Sequence, residues 1–246
     1  SEIRNILRIN KPSHALIFCG HGLSFIEKSW WLIQIKKRNI KTILAPRSGL
    51  MVKSLELPFF KNILKGTIKK ADYILCQGKY WKTFYLDYDS SNEQKFIEFP
   101  NWIEIPQRTT TLKKAKLPLS IAVVGWLNSD KGLLDLIPIS LNLKQEIGSN
   151  FEIIIYGKGP IKNLLEQTIK ENDLDEVIKI QPWINQKELW NKLETSSLLL
   201  FLSRYEGMPN AIMESFACGL PVLAYKTSTI PELVSDGKNG YLFEYN

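Results

Sequence analysis

Short apolar runs alternate with longer stretches of helical spacing almost from end to end, and this alternation restricts the fold more than any other feature of the chain. In the first half the runs are ALIFC (15–19), TILA (42–45), YILC (73–76) and KFIEF (95–99), with amphipathic stretches around 24–38, 51–70 and 79–88. In the second half they are SIAVVG (120–125), EIIIYG (152–157), VIKI (177–180), SLLLFL (197–202), PVLAY (221–225) and a final GYLFE. Helical patterns follow near 131–147, 160–172, 186–195, 209–218 and 230–235. A strand that is apolar at every position is buried on both faces, and strands separated by helices pair in parallel. The expected fold is therefore α/β, with doubly wound parallel sheets.

The segment PQRTTTLKKAKLP (106–118) interrupts this order: it is polar, has proline at both ends and lacks an apolar period, the marks of a linker. The expected organisation is an N-terminal Rossmann-like domain over 1–106, a linker over 107–118 and a C-terminal Rossmann-like domain over 119–246. The first domain offers four strands, where such a domain usually has about six. The chain also opens without methionine and stops directly after a strand, so it reads as a fragment whose first domain is partial.

Composition removes several classes. No stretch of about 18 uncharged apolar residues is present to span a bilayer, and Ser1–Asn10 lacks the apolar core of a secretory signal. Cys19, Cys76 and Cys218 are odd in number and far apart, and two of them end apolar strands. They are expected as buried thiols in a reducing, cytoplasmic setting rather than as a disulfide or metal site. The formal net charge of +7 is uneven: residues 1–112 hold 18 lysines and arginines against 9 acids, and residues 113–246 hold 14 against 16. Such asymmetry suits an anionic partner of the first half, although solvated helix faces explain it equally well. The lysines are scattered and no nucleic-acid-binding signature accompanies them, so nucleic acid is not an expected partner.

The densest chemistry lies in SRYEGMPNAIMESFACGLPVLAY (203–225). A strand runs into a turn, and a helix is expected to begin near Pro209, a residue suited to a first turn because it has no N–H to leave unpaired. The amides of Gly207, Met208, Asn210 and Ala211 then gather at the strand's carboxyl end, where a helix N-terminus favours an anion such as a diphosphate. Glu206 stands before this helix and Glu214 inside it, and a carboxylate can accept two hydrogen bonds from vicinal hydroxyls. Upstream, VGWLNSDKG (124–132) sets Gly125 and Trp126 at the end of the second domain's first strand and Lys131 at the start of the next helix. That is the ligand-binding end of an open α/β sheet. GKGP (157–160) makes a strand-to-helix turn at Gly157 and Gly159, and a plain turn explains it as well as a ligand does.

The Glu206–x7–Glu214 spacing, with GLPVLAY (219–225), IPELVSDGKNGYLF (230–243), IIYGKGP (154–160) and FPNWIEIP (99–106), resembles the retaining glycosyltransferases of the GT-B fold, and family 4 of "group 1" type in particular. HGL (21–23) and APRSGL (45–50) fit that family more loosely. The resemblance implies two Rossmann-like domains facing a cleft. It also implies transfer of a hexosyl unit from a UDP- or GDP-sugar to a saccharide or lipid-linked saccharide in surface polysaccharide biosynthesis, with retention. By the same resemblance Glu206 contacts donor-sugar hydroxyls, Glu214 holds the ribose, Lys131 neutralises the pyrophosphate with help from Arg204, and Trp183 and Ile184 border the nucleobase. Trp183 fits a core position equally well. His21 is expected to face substrate or to serve a structural turn, and Arg47 to meet an anionic acceptor. Neither metal nor cofactor is implied.

Three residues depart from the family pattern: Trp126 where arginine is common, Pro182 where glycine is usual before the base loop, and Ser48 within the Pro-Arg segment. Trp126 and the short first domain keep a rival reading in view, a non-catalytic nucleotide-sugar-binding module of a polysaccharide assembly complex. The stretches KSWWLIQIKKR (28–38) and FFKNILKGTIKKA (59–71) mix aromatic residues with lysines. Phe60, Ile63, Leu64 and Ile68 match a core-facing stripe, while the cationic balance leaves peripheral contact with anionic lipid at the inner face of the plasma membrane as a second expectation.

Overall fold

The computed structural model describes residue 9, residues 12–105 and residues 117–245, so most of the expected linker lies outside the described residues. The chain divides into two units: Ser1–Asn101 with Glu206–Met208, and Trp102–Tyr205 with Pro209–Asn246.

In the first unit the strands β1 (His14–Cys19), β2 (Lys41–Pro46), β3 (Tyr73–Cys76) and β4 (Phe96–Glu98) form a parallel sheet in the order β1-β2-β3-β4. The connections carry α1 (Gly22–Lys36), α2 (Met51–Ser54), α3 (Phe60–Lys70) and α4 (Lys79–Leu86). Because each crossover steps to the next neighbour in the same direction, right-handed connections bring these helices to one face of the sheet. Phe25 and Leu32 of α1, Phe60, Leu64 and Ile68 of α3 and Trp81 of α4 are buried there against Ile17, Leu44 and Ile74. The core-facing reading of α3 therefore holds at Phe60, Leu64 and Ile68, with Ile63 half-buried beside them. The amphipathic stretch around 51–70 holds two helices, because Pro58 cannot supply the amide a continuous helix needs there. A buried ion pair anchors the sheet's far edge: Lys95 pairs with Asp89 and donates to the Ile68 carbonyl at 2.9 Å, while the Ser91 hydroxyl donates to Asp89 at 2.6 Å. These bonds hold the Asp89 carboxyl low, at about 2, with the Lys95 bond the largest cause.

The second unit is built on β5 (Leu119–Trp126), β6 (Phe151–Lys158), β7 (Ile178–Gln181), β8 (Leu198–Phe201), β9 (Val222–Tyr225) and β10 (Gly240–Phe243). All pair in parallel, in the order β10-β9-β8-β5-β6-β7. The helices α5 (Leu136–Ile147), α6 (Lys162–Glu171), α7 (Gln186–Thr195), α8 (Asn210–Ala217) and α9 (Ile230–Leu233) connect them. Winding proceeds from β5 outward one way and then reverses at β8, so two separate apolar clusters cover the two faces. Leu136, Leu165 and Ile169 belong to one, and Leu189, Leu193 and Ile212 to the other. Ile121, Ala122 and Val123 are consecutive and all buried, as a strand covered on both sides requires. All three cysteines are free and buried. No helix of the described residues is long and apolar enough to cross a membrane.

Candidate active site

In the second unit the strand order reverses between β5 and β8, and an open parallel sheet binds ligands beyond the carboxyl ends of its strands at such a point. Two loops leave that point. After β5 come Leu127 and Asn128, a 3₁₀ turn over Ser129–Lys131, Gly132 in the left-handed region (φ 64°) and a second 3₁₀ turn over Leu133–Asp135. Lys131 therefore sits on a single tight turn, and α5 starts only at Leu136. The expectation of Lys131 at a helix start is corrected: Gly132 breaks the run that the periodicity suggested. No side chain fits at Gly132, since a Cβ there would stand 2.2 Å from the Leu202 carbonyl oxygen.

After β8 the chain runs through Ser203, Arg204 and Tyr205 to α8. Pro209 is extended (φ −78°, ψ 113°) and caps α8 from outside, so the first helical residue is Asn210 rather than Pro209. The first-turn amides of α8 have no carbonyl within the helix to bond, and no acidic side chain occupies that turn. Arg204 is held by Asp135 and Asp130. Its Nη2 donates to both carboxylate oxygens of Asp135, at 3.0 and 2.9 Å, and its backbone N–H donates to the Asp130 carbonyl at 3.0 Å. The hydroxyl of buried Tyr225 donates to the same Asp135 carboxylate at 2.9 Å. Burial and that bond push the Tyr225 hydroxyl up to about 12.

Glu214, on the second turn of α8, is only 9% exposed. Gln186, the first residue of α7, donates to its Oε1 at 3.0 Å, and the Asn185 side chain caps α7 by accepting from Glu188 N–H at 3.0 Å. Burial raises the Glu214 carboxyl above the ordinary range, and the Gln186 bond offsets part of that. Trp183 lies on the loop between β7 and α7, 54% exposed and so not a core residue, while Ile184 packs into the apolar cluster beside α7. Gly125 and Trp126 end β5 opposite Gly157 and Lys158, and Trp126 is exposed. A Cβ on Gly157 or Gly159 would meet the backbone of the β5 end at 2.2 or 2.3 Å, which explains both glycines as close-packing positions.

Glu206, Gly207 and Met208 group with the first unit. Glu206 and Met208 are buried. Trp81 Nε1 donates to the Gly207 carbonyl at 2.8 Å and Asn101 Nδ2 to the Met208 carbonyl at 2.9 Å. At the carboxyl ends of that unit's strands, His21 caps α1 and shares a 2.9 Å hydrogen bond between its Nδ1 and the Ser48 hydroxyl. Arg47 follows β2 and donates to Asn101 Oδ1 at 3.2 Å and to the Phe99 carbonyl at 3.3 Å, with its guanidinium over the Phe18 and Phe99 rings. Partial burial lowers its pKa. Gln77 donates to the same Asn101 oxygen at 3.0 Å. Gln186, Asp135, Asn101 and Gln77 escaped sequence reasoning, since nothing local distinguishes them from solvated polar residues. Two Asp-x-Asp pairs occur, Asp87/Asp89 and Asp173/Asp175. Both follow helices and precede strands, at the sheet ends opposite to these loops.

Residues 107–246 match the family of glycosyl transferases group 1. Among curated proteins, the amylovoran biosynthesis glycosyltransferase AmsK of Erwinia amylovora is 35% identical over 131 residues, which is 51% of this chain and 32% of AmsK. The match thus reaches about a third of that relative's length. Among solved structures, sucrose-phosphate synthase of Thermosynechococcus elongatus superposes with a TM-score of 0.81 at 15% identity, over 98% of this chain and 63% of that one. Anabaena HepE in complex with UDP does so with a TM-score of 0.76 at 15% identity, over 98% of this chain and 67% of that one. These likenesses establish the GT-B fold.

Proposed function

This chain belongs to the glycosyl transferases group 1 family, and we propose that it takes part in hexosyl transfer from a UDP- or GDP-sugar to a saccharide or lipid-linked saccharide acceptor, with retention, in surface polysaccharide biosynthesis. The observation that carries the reading is the reversal of strand order between β5 and β8, with Lys131 on the loop after β5 and Glu214 buried on the helix that follows β8. The amylovoran role of AmsK and the UDP held by HepE support the substrate classes.

In this reading the bond from the sugar C1 to the diphosphate oxygen breaks, and a bond from C1 to the acceptor oxygen forms on the same face. The acceptor's proton passes to the departing phosphate oxygen. Lys131 and the first-turn amides of α8 stabilise the charge that gathers on the diphosphate, a task for preorganised donors. Glu206 orients the sugar, His21 faces it, Glu214 accepts from the ribose hydroxyls, Trp183 borders the base and Arg47 meets the acceptor. We keep peripheral contact with anionic lipid within this proposal, on the cationic excess of residues 1–112 and the exposed Trp30 and Phe59. Flotation with vesicles that does not depend on anionic lipid removes that part.

Calorimetric titration of the chain with UDP and with GDP tests the donor site. One nucleotide should bind, and Glu214→Ala should weaken it. No binding of either by folded protein refutes the donor site, whereas binding without transfer favours the non-catalytic nucleotide-sugar-binding module, a reading that Trp126 in place of a cation also fits.

A further inference from the structure

We infer that Asp135 is a positioning residue: its carboxylate gathers Arg204 and Tyr225 and so fixes the loop after β8 against the loop after β5. Its importance for catalysis rests on the donor site proposed above, which places Lys131 on the loop after β5 and Glu214 on the helix beyond the loop after β8. The coupling itself rests on geometry alone.

One carboxylate serves three strands. Asp135 ends the second 3₁₀ turn after β5, Arg204 lies three residues beyond β8, and Tyr225 is the last residue of β9. Arg204 gives both Asp135 oxygens a charge-assisted bond, and Tyr225, buried, finds there the partner its hydroxyl requires. The backbone repeats the link. Arg204 N–H bonds the Asp130 carbonyl, Gly132 packs without clearance on Leu202, and the Thr227 hydroxyl donates to the Ser203 carbonyl at 3.2 Å. The guanidinium also lies over the Tyr245 ring, 5.7 Å from its centroid, and its Nε is buried without a hydrogen-bond partner among the described residues. Asp135 is thus what fixes the direction of the head group. Arg204, assigned to the pyrophosphate by the family resemblance, acts instead through Asp135.

The test compares Asp135→Asn, Arg204→Gln, Tyr225→Phe and the double variant Asp135→Asn/Arg204→Gln in the full chain. Hydrogen exchange should accelerate in both 128–132 and 202–205, on the order of tenfold, in either single variant at Asp135 or Arg204, with a smaller effect in Tyr225→Phe. The double variant should be no worse than its worse parent. Calorimetry with UDP and GDP should find Arg204→Gln within about threefold of wild type. With the sugar nucleotide that a donor screen identifies, kcat should fall about tenfold while the donor KM holds, the signature of lost positioning rather than lost binding. Exchange confined to the substituted loop overturns the coupling. Arg204→Gln weakening UDP or GDP tenfold, with Asp135→Asn unchanged, makes Arg204 a phosphate ligand and overturns the inference. If wild type binds neither nucleotide, the donor reading fails, and the exchange measurement still decides the coupling.

Discussion

Gly132→Ala combines two penalties that can be separated by a control. The left-handed backbone (φ 64°, ψ 20°) costs a side-chain-bearing residue about 1–2 kcal/mol. The added Cβ would lie 2.2 Å from the Leu202 oxygen and 3.1 Å from an Asp135 oxygen, so the loop after β5 must retreat from the end of β8 by roughly 1 Å to restore contact distance. That retreat breaks the 3.0 Å bond from Arg204 N–H to Asp130 and stretches the Arg204–Asp135 pair, about 1 kcal/mol for the first and a similar amount for the partly exposed second. The sum is about 3–4 kcal/mol, or roughly 10 °C in the melting temperature of a unit of this size. Gly237 is the control in the same unit: its φ is 71° and a Cβ would meet nothing nearer than 3.9 Å, so Gly237→Ala should lose only the backbone penalty, about 1–2 kcal/mol. Scanning calorimetry of both variants checks the difference, and UDP titration checks whether Lys131 has been displaced. Equal losses in the two variants would refute the argument that contact with Leu202, rather than backbone conformation, makes this position glycine.

Glu214→Gln should raise stability slightly at neutral pH, because the buried carboxyl has a raised pKa and its charged form is penalised above that value, a cost that wild type sheds as pH falls. The same variant should weaken nucleotide binding about tenfold, and melting curves and calorimetry on one sample read both. Asp89 behaves oppositely: its folded pKa is depressed to about 2, so its contribution is complete above the ordinary aspartate range and is lost as pH falls toward that value. Lys95→Met should cost about 3–5 kcal/mol near neutral pH and should recover part of it on acidification, since protonation then relieves an unpaired buried carboxylate. Urea unfolding between neutral and acid pH distinguishes the two slopes. Trp126→Arg should tighten UDP or GDP by roughly tenfold at low salt, an effect that shrinks as ionic strength rises.

The strands were legible because a buried parallel strand leaves an unbroken apolar run, and SIAVVG and SLLLFL are too short, and too regularly separated by helical patterns, to read as helices. Helix starts were less so. The apolar period continues through 131–135, but the positive φ at Gly132 converts that stretch to two tight turns, and a repeat pattern carries no information on a single backbone angle. Arg204 shows the same limit for the site. The family resemblance assigned it to the pyrophosphate, yet its partner Asp135 is 69 residues away, and no spacing rule links them. Gln186 was hidden for a similar reason, since it acquires meaning only when α7 and α8 bring it to Glu214.

The buried thiols have a practical consequence for spectroscopy. Burial pushes the Cys19 and Cys76 thiols up to about 12, so at neutral pH they stay protonated and react poorly with a maleimide or iodoacetamide. Cys218 is enclosed as well. A single cysteine introduced in place of exposed Leu164 on α6 should therefore take a fluorophore or spin label against a silent background, without first stripping the native sulfur from the core. Distances from that label to a nucleotide analogue then become measurable in the otherwise unaltered chain.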